Sequence, residues 1–418
     1  MRPLMSQSRS AYQLDESARL LAQASRVDAS FRSRPGVLGS VSGEAPVFAD
    51  RAEGAYLWDV DGNRYVDFVL GFGAVVLGHA DPRVTAAVYA ELARGVSPTL
   101  HRTVQLDLVE LLIEVIPGAE MALLLKTGSD ATDVAVRLAR AFTERLHVLH
   151  WGYHGWHDWC APRPAGLVPG VQDHVQPFRY NDLPELDRAL SSRPGEVACV
   201  LMMPVEVEPP GPGYLAGVRE LADAHGALLV FDEVRTGFRL ALGGAQEYFG
   251  VRADLVAVSK AMANGHPISA LVGRRDVLQA TNRISASSLS FRSSDGLAAA
   301  LATIRSIRQT GVVEVLWDRG RALMAGLRRG AARHGVPVSV VGLPPMPYQV
   351  FEYRTATQRQ RAERMFYAET RARGVLFHPT HQWFTCAAMS AADIALAVNA
   401  AEAGYAAVSR AVGGTEEG

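Results

Sequence analysis

Lysine is nearly missing from this chain: Lys126 and Lys260 carry the only ε-amines, beside 40 arginines (42 Lys+Arg less these two). Positive charge is therefore guanidinium almost throughout, and a guanidinium stays protonated and cannot act as an amine nucleophile. Cysteine is scarce as well. Cys160, Cys199 and Cys386 are odd in number and widely spaced, with no CxxC pair. That fits free thiols in a reducing cytoplasm better than a disulfide framework. No run of about 18 apolar residues occurs, so no membrane-spanning helix is expected. Residues 1–30 are polar and arginine-bearing, without the apolar centre of a signal peptide. The formal net charge is −1 and no arginine run is interleaved with aromatics, so nucleic acid is not an expected partner. No G-x-G-x-x-G follows an apolar run, which argues against a nicotinamide oxidoreductase.

What remains is ample for a large core. The 418 residues are 48% hydrophobic and 20% charged, enough for two domains or one large α/β domain with a smaller partner. An amphipathic helix over 14–27 leads through a Gly/Ser/Pro-rich connection to Pro46. Alternating residues over 54–68, around Asp61-Gly-Asn, predict a hairpin. A glycine-rich loop holding Gly71, Gly73 and Gly78 then leads to Asp81-Pro82, a helix start over 82–94. From about 104 to 300, short apolar runs (121–125, 147–150, 198–203, 227–231, 255–258, 268–272) alternate with helical patterns at 130–143, 183–191 and 215–225. This predicts an α/β fold with a mostly parallel sheet covered by helices on both faces. Helices follow at 296–309 and 313–334, then strand-like 337–352, a helix at 356–373, a strand near 375–378 and a closing helix at 391–409.

Several chemically capable residues fall at the carboxyl ends of predicted strands, where open α/β sheets collect ligands. The run Asp254-Leu-Val-Ala-Val-Ser-Lys260 closes on one of the two lysines. A desolvated lysine loses its proton and can form a Schiff base; taken alone, this one reads more readily as a solvated strand end. The run from Gly226 delivers Asp232 to a strand terminus, where it would serve as a helix cap, a salt-bridge partner or the partner of a pyridinium nitrogen. Lys126-Thr-Gly-Ser-Asp-Ala-Thr132 opens a helix and offers amide N–H groups to a phosphate, although an ordinary N-cap reads the same way. Gly152-Tyr-His-Gly-Trp-His157 puts an aromatic ring at a strand end, suited to stacking on a flat cofactor or to the core.

Taken together, the motifs DVDGNRYVDF, LGHADP, KTGSDATDVAVRLAR, GYHGWH, HGALLVFDEVRTGFR and SKAMANGHPISALVGRR resemble the class III pyridoxal-phosphate-dependent aminotransferases, which include glutamate-1-semialdehyde aminomutase. The resemblance runs from about residue 45 to 405. It implies the fold-type-I architecture with a seven-stranded sheet, a large cofactor-binding domain over 76–312, and a small domain built from 1–75 and 313–418. It also implies pyridoxal 5'-phosphate with no metal, a small-molecule amino donor and carbonyl acceptor, and a homodimer with shared active sites. Lys260 matches the Schiff-base lysine and Asp232 the partner of the ring nitrogen, with Val234 against the ring and Tyr153 stacked on it. Gly128 and Ser129 match the phosphate cradle, and His154 falls among the cofactor contacts. The loop 287–291 would reach the partner subunit's phosphate; the family's threonine falls on Leu289, leaving Ser288 or Ser290 to substitute.

Departures from the family pattern bear on substrate. Cys386 stands where many members hold a carboxylate-gripping arginine, and Met203 replaces the glutamate of the family's Glu-Pro pair. Glu208 matches the glutamate that pairs with the missing arginine, which leaves it available to a cationic group. Trp383 is expected to face the pocket, where an aromatic suits a sugar ring, and Phe72 is a further candidate at the substrate. SKAMANGHPISA also resembles sugar-aminating members of the class. The expected reaction is amine transfer to a sugar-like carbonyl, as in amino-sugar or aminoglycoside assembly. Epimerase or aminomutase outcomes would use the same residues. Lys126 is read as a charge near phosphate or a second acid/base.

Overall fold

The apolar runs in the middle of the chain have no polar face, so they need cover on both sides. In the computed structural model, which describes residues 12–33 and 45–412, they form a covered sheet. In chain order the strands are β1 (Ala49–Glu53), β2 (Tyr56–Asp59), β3 (Arg64–Asp67), β4 (Met121–Leu125), β5 (His147–Trp151), β6 (Val175–Pro177) and β7 (Val197–Met202). They continue as β8 (Leu228–Asp232), β9 (Leu255–Val258), β10 (Ser269–Gly273), β11 (Val338–Val341), β12 (Tyr348–Phe351) and β13 (Val375–Leu376). The large sheet has seven strands in the order β4-β10-β9-β8-β7-β5-β6.

Only β10 runs against its neighbours β4 and β9, so the other six strands share one direction. Their carboxyl ends therefore meet at a single edge. Alternate residues along each strand enter opposite cores. Leu149, Val200, Phe231 and Val256 pack on one face with residues of the helices Pro82–Leu92, Thr103–Val115 and Ser294–Gln309. Val148, Cys199, Val230 and Ala257 pack on the other with the helix Gly128–Thr143. Burying one such side chain contributes roughly 1.5–3 kcal/mol. The helix Thr103–Val115 (TVQLDLVELLIEV) has no expected counterpart, because leucine and valine occur on most of its circumference and blur the period. Strand β6, three residues long, is likewise too short to stand out.

The expected hairpin over 54–68 is β2–β3, turning through Gly62 at φ +85°, with β1 added along β2. β13 then pairs in parallel with β3, Val375 opposite Val66, so early and late stretches of chain share one four-stranded sheet. The strand-like stretch 337–352 resolves into the hairpin β11–β12. The helices Ala356–Ala372 and Ala391–Val412 cover this region with Phe366, Ala401 and Tyr405. Residues 34–44 of the Gly/Ser/Pro-rich connection lie outside the described residues.

Arg239, in the loop after β8, joins the parts. Its fully buried guanidinium donates to the carbonyls of Gly73 at 2.7 Å, Thr385 at 2.9 Å and Pro345 at 3.4 Å. These carbonyls come from three segments far apart in sequence. Burial pulls the Arg239 guanidinium down to about 10, so it remains charged at neutral pH. Replacing Arg239 by Ala leaves three carbonyls without this donor in a dry site, where each loss costs about 1–3 kcal/mol. We expect Arg239→Ala to lower stability by about 3 kcal/mol or more, read as a shift of the urea-unfolding midpoint.

Candidate active site

Strand β9 is buried over its whole length, and the chain leaves it through Ser259 to Lys260, the first residue of a single 3₁₀ turn, Lys260–Ala263. Lys260 takes a left-handed backbone, φ +46°, which costs an L-residue with a Cβ about 1–2 kcal/mol. The Ser259 hydroxyl donates to Ile268 O at 2.9 Å and fastens the turn to the approach of β10. The turn re-aims the chain and presents the lysine to the cleft at the sheet edge. Burial, with Arg235 nearby and Asp232 opposing, lowers the Lys260 amine to about 8. About a tenth of such amines are neutral at pH 7, against roughly one in 3,000 for an ordinary lysine.

Asp232 ends β8 in the same cleft and is almost fully buried. His154 Nδ1 donates to its Oδ2 at 2.8 Å, and the Val234 amide donates to its Oδ1 at 3.1 Å. His154 is itself fixed: its ring lies parallel to Trp159, 6.0 Å between centroids, and its carbonyl accepts from Thr132 Oγ1 at 2.6 Å. The carboxylate thus has a set orientation before anything binds.

The helix Gly128–Thr143 begins at the same edge. Thr127 caps it: its hydroxyl accepts from the Asp130 amide at 3.1 Å, and the Asp130 carboxylate accepts from the Thr127 amide at 2.7 Å. The amides of Gly128 and Ser129 belong to the first turn, whose N–H groups have no partner within a helix, and the helix dipole favours an anion there. A Cβ on Gly128 would come within 2.9 Å of the Val234 methyl groups, and one on Gly155 would run into the Ser129 hydroxyl. Only glycine lets these loops close around the space.

Gly128, Ser129, Tyr153, His154, Asp232, Val234 and Lys260 line one cavity of about 220 Å³, with Gly155, Met203, Arg235 and Ser259. The structure therefore gathers seven of the expected cofactor residues. A buried carboxylate opposite an amine of low pKa, a helix N-terminus with a hydroxyl, and a largely exposed aromatic ring fit a phosphorylated pyridine aldehyde. Ser288 and Ser290 lie elsewhere, at an exposed turn, Leu289–Arg292, where Ser288 Oγ accepts from the Ser290 amide at 3.2 Å.

Arg235 is the cleft residue that sequence reasoning misses. One of its terminal nitrogens donates to Gln382 at 2.7 Å and pairs with Glu206 at 3.2 Å. Among 40 arginines nothing in the sequence marks it, except its place three residues after Asp232. The substrate expectations need correction. Trp383 is fully buried, stacked on Phe377 at 4.0 Å, with its indole N–H donating to His378 O at 2.8 Å, so it does not face the cleft. Cys386 is fully buried in the same core, and burial pushes its thiol up to about 12. Glu208, expected to be available to a cationic substrate group, is exposed and outside the cleft lining; Glu206, two residues earlier, is the carboxylate that pairs with Arg235. Phe72 is half-buried, packed on His378 and His381 with ring centroids 5.6 and 5.0 Å away, in a left-handed turn spanning Leu70 to Gly73.

Comparison with known proteins agrees with this geometry. The family described as Aminotransferase class-III matches residues 39–402. The 3-aminobutyryl-CoA aminotransferase of Cloacimonas acidaminovorans (strain Evry) is 38% identical over 368 residues, covering 86% of this chain and 89% of that protein. The glutamate-1-semialdehyde 2,1-aminomutase of Syntrophobacter fumaroxidans (strain DSM 10017 / MPOB) is 36% identical over 394 residues, covering 87% and 91%. The structure of the pyridoxal-phosphate internal-aldimine form of the FumI protein of Sphingopyxis sp. MTA144 superposes with a TM-score of 0.89 at 32% identity, covering 94% of this chain and 96% of that one.

The lowered pKa of Lys260 has a consequence for stability. Between pH 8 and about 10.4 the unfolded chain binds more protons at this lysine than the folded one does, so the cofactor-free protein gains stability from it as pH rises through that window. Below pH 8 the protonated, desolvated amine opposes folding. Lys260→Met should therefore stabilise the cofactor-free protein at pH 7 by on the order of 1–3 kcal/mol. The advantage should shrink toward pH 10, as followed by denaturant midpoints of variant and parent side by side.

Proposed function

The chain belongs to the class III aminotransferases, which are pyridoxal-phosphate-dependent enzymes, and from that premise we propose that its amine substrate carries no carboxylate on the reacting carbon. One observation carries this reading: the charge of Arg235, the arginine in the cleft lining, is already balanced by Glu206, and one of its terminal nitrogens bonds both Glu206 and Gln382. An α-carboxylate is gripped best by a guanidinium whose charge has no other carboxylate beside it. The likeness to an enzyme named for a 3-amino substrate supports it. An amino-sugar carbonyl stays within this class as an acceptor. Without Trp383 at the pocket, its support is the likeness of SKAMANGHPISA to sugar-aminating members.

Pyridoxal phosphate, when bound, supplies an aldehyde that links to amines and a ring that takes up the electron pair left when a carbon loses its proton. Gly128 and Ser129 would hold its phosphate, Val234 and Tyr153 its two ring faces, and Asp232 its ring nitrogen. His154, bonded to the Asp232 carboxylate, would keep it oriented for that role. Lys260 Nζ, neutral in a useful fraction because it is desolvated, removes the proton from the amine-bearing carbon and later returns one. Burial first, and then the charge of Arg235, disfavour the protonated form of Lys260. A second reading, favoured by the likeness to an aminomutase, returns the amine to a neighbouring carbon of the same molecule with the same side chains.

A second copy of the chain would complete the site. Tyr89, Val96, Leu100, Leu106 and Leu289 are exposed large apolar residues on adjoining segments, tied together where the Ser294 amide donates to Val96 O at 2.9 Å. An apolar surface of this kind suits a homodimer in which Ser288 or Ser290 reaches the partner's phosphate. The pairing of β3 with β13 supports grouping 1–75 with 313–418 as a small domain beside a cofactor domain at 76–312. The free thiols of Cys160, Cys199 and Cys386 support a cytoplasmic location.

The test is borohydride treatment of the holoenzyme followed by peptide mass mapping. We expect the reduced cofactor on Lys260, and an unmodified Lys260 would end the reading. Labelling yield from added pyridoxal phosphate should rise with pH through a midpoint near 8, where half of the amines are neutral, and level off above it. Asp232→Ala should keep that label while lowering the rate of amine transfer by about 100-fold or more, because the ring nitrogen loses its counter-charge. In a screen in deuterated water, solvent deuterium gained without net amine transfer would move the reading to an isomerase.

A further inference from the structure

Beside the cofactor cleft lies a second, larger chamber of about 420 Å³. It opens between the carboxyl ends of β5 and β6 and the turn over 152–162, and its walls include His150, Trp159, Cys160, Val175 and Pro177. Two contacts set it directly against the cleft. Tyr153 lines both spaces. Glu206 lines the chamber and pairs at 3.2 Å with Arg235, which lines the cleft. A chain that starts at the amine beside Lys260 and passes the Arg235–Glu206 pair would enter this space.

The chamber's chemistry is unlike that of the cleft. Tyr153, Trp159, Val175 and Pro177 supply aromatic and aliphatic wall. The lining contains no lysine or arginine. Burial, with His154 close by, pulls the His150 imidazole down to about 4, so it is neutral at physiological pH. Glu206 is the acidic residue of the lining. An acid at the far end of a substrate would meet the Glu206 carboxylate, which already occupies the charge of Arg235, and no further cation in the lining, whereas an uncharged chain would find apolar wall with a few hydrogen-bonding groups. The walls are also fixed: Trp159 is held by its stack on His154, and Gln172 Nε2 donates to Asp158 O at 2.8 Å and Ala161 O at 3.2 Å, closing the turn.

We infer that this chamber binds the distal part of the amine substrate and selects an elongated, uncharged chain over one that ends in a carboxylate or phosphate. The inference rests on the aminotransferase reading and names the substrate class of that same site. Tyr153, Trp159 and Glu206 are then specificity residues.

The experiment compares three amines with the holoenzyme: 3-aminobutanamide, its N-hexyl amide, and the same amide ending in a carboxylate. Bleaching of the cofactor's visible absorbance gives kcat/KM for each. The hexyl compound should exceed the parent by about tenfold or more, since each added apolar contact in a pocket is worth factors of this size. The carboxylate-ended compound should fall about tenfold below the hexyl one. Ala161→Trp, which fills the chamber, should lower the hexyl-to-parent ratio by about tenfold, and Pro177→Trp on the opposite wall repeats the test if the first variant fails to fold. Glu206→Gln should raise the carboxylate-ended compound relative to the hexyl one. A wild-type enzyme indifferent to the tail, or variants that change all three amines equally, would overturn the inference. Failure of every amine, the parent included, would instead overturn the aminotransferase reading and this one with it.

Discussion

The cleft exists because six strands of the large sheet end on the same side. That shared direction brings the helix start at Gly128, the ring of Tyr153, the carboxylate of Asp232 and the amine of Lys260 into one lining, although they span more than a hundred residues of sequence. β10, the strand that runs the other way, begins at this edge; the Ser269 hydroxyl donates to Thr127 O at 2.7 Å and pins the turn that opens the helix Gly128–Thr143 from behind. Side chains on rigid strand ends keep their positions better than side chains on free loops. The left-handed backbone at Lys260 is tolerated because the Ser259 bond and the buried strand before it leave little alternative.

Charge in the cleft is arranged as opposing pairs. Asp232 stabilises a protonated Lys260, while burial and Arg235 work against it, and the net result is an amine poised near neutrality. Arg235 exerts this influence while its own charge is balanced by Glu206 and bonded by Gln382. Gln382 is in turn held by Glu206 O at 2.6 Å and Met346 O at 3.2 Å. The side chain that tunes the lysine is thus anchored to the late part of the chain, where β11–β13 gather. Arg239, four residues later, bridges the same regions through carbonyls alone.

How much could be read from the sequence depended on what each residue needed to reveal. Asp232 and Lys260 were legible because a buried strand leading to an ionisable residue fixes both the place and the direction of the side chain. The helix start at Gly128 was legible for the same reason. Trp383 and Cys386 were misread because their stretch, 378–386, is irregular, and no periodicity states which side faces inward. Glu208 lies in an irregular loop, where no periodicity states that its side chain turns outward while Glu206, two positions earlier, turns to Arg235. The paired sheet of β1–β3 with β13 was hidden because it joins segments some three hundred residues apart, which local pattern cannot connect.

The placement of the two lysines reaches beyond catalysis. Both sit at the carboxyl edge of the large sheet, Lys126 directly after β4 and Lys260 just beyond β9, and every other basic side chain among the described residues is arginine or histidine. The exterior of the folded chain thus offers almost nothing to acetylation, glycation or aldehyde fixation, processes that consume surface ammonium groups on most proteins. A reagent that modifies a primary amine in the described part of this molecule has, in doing so, touched the edge where the cofactor belongs.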